Sequence, residues 1–557
     1  MRAAAALAAV LASLSLTAGT TGAQPAREEP LERGASGTKR LPPLVPVAED
    51  GLTRALRAKR LDAASYALAR AKTLFWPERV RARYGDVRRP DPRLATMILR
   101  DLAFRLPYLS PSERARAERL LARPTDGAAD PEGQGYSVPE AVPVCEVEFC
   151  IHYVASSADA PPLDDGDPAD GTPDWVAAAA ATVAEVWATE VGALAYRPPL
   201  PDATSTNHGG DGRLDVYLAN LGDEDIYGYC TTDDPNASDP SYPHWDVSAY
   251  CVIDNDYSEA IFAASTPLQN MQVTVAHEFL HAVQFAYDAG EDLWLMEGTA
   301  AWVEDEVYDA VNDNRQYLAR SPLRFSFVPV DWGMDGFQYG AWIYYRYLSE
   351  RYGTGIVRAI WQRADGSAIG PNNHSLQAVT RELAARGRTF RQVFSHFSRA
   401  NRTARTSYAE GRAYPARPRT ERTWTLTGSR RSRSHATRIF QLGAETFAFK
   451  PGRRISRRAN LKLTLNLPSR ARGSEAGILV FRRSGKLASS RHVVLNRFGN
   501  ATVRAAFGRR RVRRVELVLM NASTRYACSE QTPFSCQGMP RDDLLTYRFR
   551  ARARWRR

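Results

Sequence analysis

The sequence predicts a multidomain α+β chain: a helical N-terminal region, a mixed α+β central domain and an all-β C-terminal sandwich. Three observations predict it. Apolar residues recur at helix-like spacing from Glu49 to about Arg123, among them Leu52, Leu56, Leu61, Ala64, Leu68 and Ala71. Strand-like segments precede long apolar stretches without Gly or Pro through residues 140–412. From Thr423 onward the pattern changes to short alternating runs separated by turn residues. A chain of 557 residues is expected to hold about three domains, and its 44% apolar content is that of a globular protein.

Residues 1–23 read as a signal peptide, with Arg2 as the positive start, Ala3–Leu16 as the apolar core and Thr21-Gly22-Ala23 as the small-residue cleavage site. No later apolar run reaches the roughly 20 residues that span a bilayer, so the chain is expected to be secreted and to carry no transmembrane segment. The six cysteines fall into local pairs, Cys145 with Cys150, Cys230 with Cys251 and Cys528 with Cys536. An even count in an exported chain reads as disulfides. Residues 24–48, rich in Pro, Gly and charge, read as a linker. The helical region 49–126 contains Ser110-Pro111-Ser112-Glu113, a helix start with Ser110 as N-cap. Ahead of a catalytic domain such a region has two readings, a removable propeptide or a permanent accessory domain.

The central domain, 140–412, opens with a strand pair over Val142–Val154. The acidic loop Asp164–Asp174 follows, and it reads either as a structural calcium site or as an acidic cap on the helix Trp175–Val191. Gly209–Asp215 turns into the strand Val216–Leu218, and Ser248–Asp254 forms a further strand. The segment Val273–Tyr287 then reads as a buried helix carrying His277-Glu278-Phe279-Leu280-His281. Histidines four apart on a helix point the same way, so both imidazoles can bind one metal ion. The Glu between them lies beside the open coordination position, where it can take a proton from metal-bound water. A second apolar helix, Trp294–Glu304, follows the reversal Asp288–Asp292. Folded back on the first, it can aim Glu297 at the same ion, and two His, one Glu and one water make a four-coordinate catalytic zinc.

This stretch, with Trp294-Leu295-Met296-Glu297-Gly298-Thr299-Ala300, resembles the gluzincin metallopeptidases. The local match is to the Trp-Leu-x-Glu-Gly-x-Ala signature of the aminopeptidase-N-type enzymes, and the longer context resembles bacterial secreted metallopeptidases. The resemblance covers roughly Val273–Glu304. It implies a zincin-like fold, Zn2+ held by His277, His281 and Glu297, Glu278 as general base, and a protein or peptide substrate. It also implies that the strand Tyr250–Ile253 borders the cleft and pairs with extended substrate. The Gly-x-Met-Glu-Asn segment that anchors a substrate amino terminus is missing, which points to an endopeptidase. The family's downstream tyrosine aligns with Phe337, so Tyr339 is the candidate for stabilising the oxyanion, with Tyr344 and Tyr345 as rivals on the helix Tyr339–Glu350. Core aromatics are the alternative reading of all three.

Helices Thr354–Arg363 and Ser375–Arg402 complete the central domain. The sandwich, 423–557, is read from runs at Ala436–Leu442, Thr446–Lys450, Asn460–Leu467, Gly477–Arg482, His492–Asn496, Asn500–Phe507, Arg514–Asn521 and Thr546–Ala553. The net charge of +12 gathers toward this end as arginine. No recognition motif or aromatic interleaving marks a nucleic-acid binder, so the basic face reads as a solvated one or as one attracted to an anionic cell-envelope surface. The expectation is therefore an exported zinc metallopeptidase. Its rival is a non-enzymatic cell-surface or cell-wall binding protein with a structural or vestigial zinc.

Overall fold

The computed structural model describes residues 41, 44, 45 and 49–555, except 127–134, 167–168, 206 and 415–417. The signal peptide and most of the expected linker lie outside the described residues. What is described is multidomain, with helices and several mixed and antiparallel sheets.

The N-terminal helices are α1 (Gly51–Arg57), α2 (Ala63–Phe75), α3 (Pro77–Tyr84), α4 (Ala95–Ala103) and α5 (Pro111–Leu120). α5 starts as expected, with a capping box between Ser110 and Glu113. Every residue of α4 is buried. The reason is that the N-terminal helices share one continuous core with the central domain. Leu68, Met97, Leu99 and Leu102 belong to the same packed cluster as Val252, Leu280 and Trp302.

The central sheet holds β1 (Val144–Cys145), β2 (Phe149–His152), β3 (Leu214–Ala219), β4 (Gly228–Thr231) and β5 (Tyr250–Asp254), in the order β1-β2-β3-β5-β4. β2, β3 and β5 run parallel, and β4 runs antiparallel along the edge. This corrects the reading of Tyr250–Ile253 as the substrate-pairing strand. β5 is bonded to β3 on one side and β4 on the other, so no edge is left for a peptide to join. The edge on that side belongs to β4, a four-residue strand that starts on glycine and is too short to stand out in sequence, and α4 covers it, with Thr96 accepting the Cys230 amide.

Against this sheet lie α6 (Asp174–Trp187) and α7 (Pro267–Asp288), and α7 packs on α8 (Leu293–Val307). α7 starts sharply because Thr266 caps it, Gln269 reaches back to the cap and Pro267 takes the first helical position. It is buried on all sides from Val273 to Asp288, so apolar residues surround it rather than form a stripe. Then come α9 (Trp342–Tyr352), α10 (Gly355–Ala364), α11 (Ser375–Ala385) and α12 (Phe390–Ala400). The expected single helix Ser375–Arg402 is split, because Gly387 adopts φ +69° and the chain reverses there.

The C-terminal part is two facing sheets. One contains β6 (Arg422–Leu426), β8 (Ala444–Pro451), β10 (Ser474–Arg482), β11 (Leu487–His492) and β13 (Val512–Asn521). The other contains β7 (Ser432–Ile439), β9 (Asn460–Asn466), β12 (Asn500–Ala506) and β16 (Leu545–Arg554), and a small pair β14 (Tyr526–Ala527) and β15 (Met539–Pro540) stands apart. The strand expected at His492–Asn496 lies earlier, as β11, and β6 was not anticipated. Ile478, Leu517 and Phe549 meet in the sandwich core, whereas Leu479, Phe481, Val518 and Met520 face the central domain's core. β10 and β13 are thus covered on both faces, which is why their sequences do not alternate.

All six cysteines are paired as expected, with Cα separations of 4.1 Å (Cys145–Cys150), 4.0 Å (Cys230–Cys251) and 5.2 Å (Cys528–Cys536). Three disulfides fit an exported protein. Among the described residues no helix is long and apolar enough to cross a membrane.

Candidate metal centre

The two histidines lie one turn apart on α7, their ring centroids 4.9 Å from each other. α8 brings in Glu297, whose Oε2 is 3.3 Å from His277 Nε2 and 3.7 Å from His281 Nε2. One ligating atom from each of the three fits within 4.8 Å, and all three residues are buried.

The far side of each ring is anchored. His277 Nδ1 is 2.7 Å from Glu304 Oε1, and His281 Nδ1 is 2.7 Å from Gln284 Oε1. The Gln284 amide nitrogen donates to Met296 O and Thr299 Oγ1, so its oxygen must face the imidazole. Each ring therefore donates from Nδ1 and turns its Nε2 toward Glu297. His281 Nε2 and Glu297 Oε1 have no hydrogen-bond partner although both are buried. An orphaned imidazole nitrogen beside an orphaned carboxylate oxygen is costly unless a cation joins them. On these observations His277, His281 and Glu297 fit a zinc ion.

The electrostatics agree with that fit. Burial pushes the Glu297 carboxyl up, but the His277 ring within hydrogen-bond reach and the His281 ring beside it outweigh that and hold the group down at about 2. For His277, burial opposes the charged form, yet Glu297 and Glu304 raise it well above the ordinary imidazole range. Burial drives Glu304 up to about 8 against the pull of His277.

Glu278 faces a small cleft of about 50 Å³ lined by Arg93, Tyr227, Gly228, Thr274 and His277. Its Oε2 accepts a hydrogen bond of 2.7 Å from Thr96 Oγ1, and that hydroxyl in turn accepts the Cys230 amide at 2.9 Å. α4 thus touches both the candidate base and the edge strand.

Tyr339 lies beside the centre. Its ring is 6.2 Å from that of His277 and stacks on Tyr317 at 5.1 Å. Its buried hydroxyl has no partner, and burial, then the charge of Glu297, raises its pKa well above the ordinary value. The rivals are placed elsewhere: Tyr344 packs on Phe397, and Tyr345 donates to Trp294 O. Phe337, the aligned position, packs on Phe325.

Sequence reasoning missed Thr96, Gln284 and Glu304. Two had a local signal: Gln284 is three residues after His281, and Glu304 is seven after Glu297, each on the ligand's own helix face. Thr96 had none, because only the tertiary fold brings it there.

Two other ligand-like groups are otherwise engaged. Cys528 and Cys536 near His374 form a disulfide, as does Cys150 near His152 and Asp215. Both ring nitrogens of His152 are taken, by Glu140 and Asp215. In the described part of the acidic loop, Asp165 accepts from the Asp170 and Gly171 amides and Asp174 accepts from the Gly166 amide, so these carboxylates serve the loop and the start of α6.

A family of unknown function, DUF6055, matches residues 242–442, a span that includes α7, α8 and Tyr339. No curated protein matches the chain. Among solved structures, a family GH115 4-O-methyl-alpha-glucuronidase with specificity for decorated arabinogalactans matches at 9% identity, over 54% of this chain and 39% of that one, with a TM-score of 0.14. At that score the likeness carries no argument about fold or activity. The chain spans about two fifths of that protein's length.

Proposed function

We propose that this protein is a zinc-dependent hydrolase of zincin-like fold that cleaves peptide bonds, most simply as an exported endopeptidase. One observation carries the reading: His277, His281 and Glu297 converge with outward-anchored rings and orphaned inner atoms, and Glu278 stands next to them in an open cleft. A zinc ion held there would supply a water with pKa near ~7 and polarise the scissile carbonyl. Glu278 accepts the proton of the attacking water and hands it to the leaving amine. Thr96 keeps that carboxylate oriented as an acceptor. The unpartnered Tyr339 hydroxyl would donate to the oxyanion.

The rival, a binding protein with a structural zinc, needs a closed coordination shell. Among the described residues the cluster contains three ligands and no fourth, and the Glu278 carboxylate shares a cleft with His277. The deciding experiment measures zinc in the purified protein together with cleavage of a denatured protein substrate, with and without chelator. One zinc per chain and chelator-sensitive cleavage are expected. A full zinc complement with no hydrolysis would overturn the peptidase reading and favour the rival.

A further inference from the structure

Charge is divided sharply along this chain. Residues 423–557 hold 31 of the 74 Lys and Arg but 6 of the 62 Asp and Glu, a balance of +25 against −13 for residues 1–422. The few acids do not offset this at the surface. Glu475, Glu516 and Asp542 are buried, and arginines hold each of them: Arg391 on Glu475, Arg402 and Arg514 on Glu516, and Arg472 and Arg525 on Asp542.

The uncompensated cations form an ordered array on the outer face of the sheet β12-β9-β16-β7. β16 turns Tyr547, Phe549, Ala551 and Ala553 inward and Arg548, Arg550, Arg552 and Arg554 to solvent. The register sets Arg552 between Lys462 and Ser432, and Lys462 next to Arg504, so three cations make a row across three strands. Arg550 lies between Thr464 and Ser434, and Arg548 between Asn466 and Ala436. Arg438 extends the face along β7. The outward positions of these strands carry no Asp or Glu, and among the described residues none of the seven cations makes an ion pair.

We propose that this sheet face docks a linear anionic polysaccharide. Alternate residues of a strand are about 6.6 Å apart and neighbouring strands about 4.8 Å apart, so the β16 arginines form a strip about 20 Å long that meets several charges of one polymer. Ser, Thr and Asn side chains between the cations offer hydrogen bonds to sugar hydroxyls. The face carries no aromatic side chain on which bases could stack and no large apolar side chain for a bilayer to bury; the exposed Phe498 belongs to the turn before β12. The opposite sheet packs on the central domain through Phe481 and Met520, so the array points away from the metal centre and leaves the cleft open to a second molecule.

The test is retention of the full chain on immobilised alginate, a polyuronate, at ~0.15 M salt, where exposed charges act over about 8 Å. Neutral dextran, single-stranded DNA and phosphatidylglycerol vesicles serve as comparisons. Retention on alginate above all three is expected. The variant Arg548→Gln, Arg550→Gln, Arg552→Gln, Arg554→Gln should weaken it by roughly tenfold or more, since each cation at an anionic surface contributes separately. The variant Arg83→Gln, Arg114→Gln, Arg116→Gln, Arg119→Gln removes the same charge from the N-terminal helices and should change it by less than roughly twofold. The single reversal Arg552→Glu, at the centre of the row, gives the same reading with the least disturbance to folding. Equal losses in the two four-residue variants would mean net charge alone, and no retention on alginate would remove the site. Stronger binding to DNA or to vesicles would replace the polysaccharide with that partner. No outcome depends on hydrolase activity.

Discussion

Glu278 can act as a base only if it stays an acceptor, and its surroundings enforce that. Thr96 donates to it and is itself fixed by the Cys230 amide. Replacing Glu278 with Gln should leave the ligands, and so the zinc content, unchanged. It should lower hydrolysis by about 10²–10⁴-fold, the usual worth of a positioned proton acceptor; full turnover with zinc present would show that the base lies elsewhere. Thr96→Val keeps the shape and removes the donor. It should lower kcat by roughly tenfold with little change in KM and none in zinc content, and Thr96→Ser should restore the rate. A loss in KM alone would mean that Thr96 serves substrate binding. The contrast between these residues marks what sequence can reveal. His277, Glu278 and His281 were legible because a helix converts a spacing of four into a shared direction. Glu297 was legible because a short reversal folds one helix onto the other. Thr96 is 182 residues from Glu278, and no local rule connects them.

At the scale of elements, the N-terminal helices read correctly as helices, but their relation to the centre did not. Periodicity reports which face of a helix is apolar and says nothing of what covers it. α4 is buried throughout because it fills the space between the edge strand and the ligand helices, and Arg100 ties it to the carbonyls of Ala289 and Glu291 in the reversal between α7 and α8. Just after α5, the buried Arg123 is gripped by Asp202, Asp215 and Asp233. Asp215 also holds His152 Nε2 on β2, while Glu140 holds Nδ1. Burial disfavours the imidazolium there, but these two carboxylates overrule it and raise His152 to about 9. The folded value lies above the unfolded one of about 6.5, so the contribution is complete below ~6.5 and is lost as pH rises to ~9. Melting temperature should therefore fall across that window, by the equivalent of up to about 3 kcal/mol at its end. His152→Gln should flatten the slope. An unchanged slope would assign the pH response to other groups.

Among the described residues two large cores are joined along one sheet, beside a small cluster of Leu52, Tyr66 and Val80 in the N-terminal helices. The alternating runs after Thr423 announced a sandwich, yet Gly477–Phe481 and Leu517–Met520 are apolar at every position. A free-standing sandwich would expose one side of each, so the excess apolar residues record a second covered face, the one that Leu479, Phe481, Val518 and Met520 turn to the central domain. Polar contacts fix the join. Glu516 on β13 is buried, and Arg402 reaches it at 2.8 Å while also donating to Arg419 O and Thr420 Oγ1 in the segment that leads into the sandwich. On the other side, the loop closed by Cys528 and Cys536 docks through the Cys536 amide onto Asp292, the residue that begins α8 and hence the helix of Glu297. Joined this tightly, the two cores should unfold together. Glu516→Ala leaves the guanidinium of Arg402 desolvated without its carboxylate, which should cost about 3 kcal/mol. The loss falls on the join, so the calorimetric endotherm should move down and broaden or split into two. The sandwich keeps its inner core of Ile478, Leu517 and Phe549 and should melt last. A single sharp endotherm at the original temperature would show that the pair does not hold the cores together.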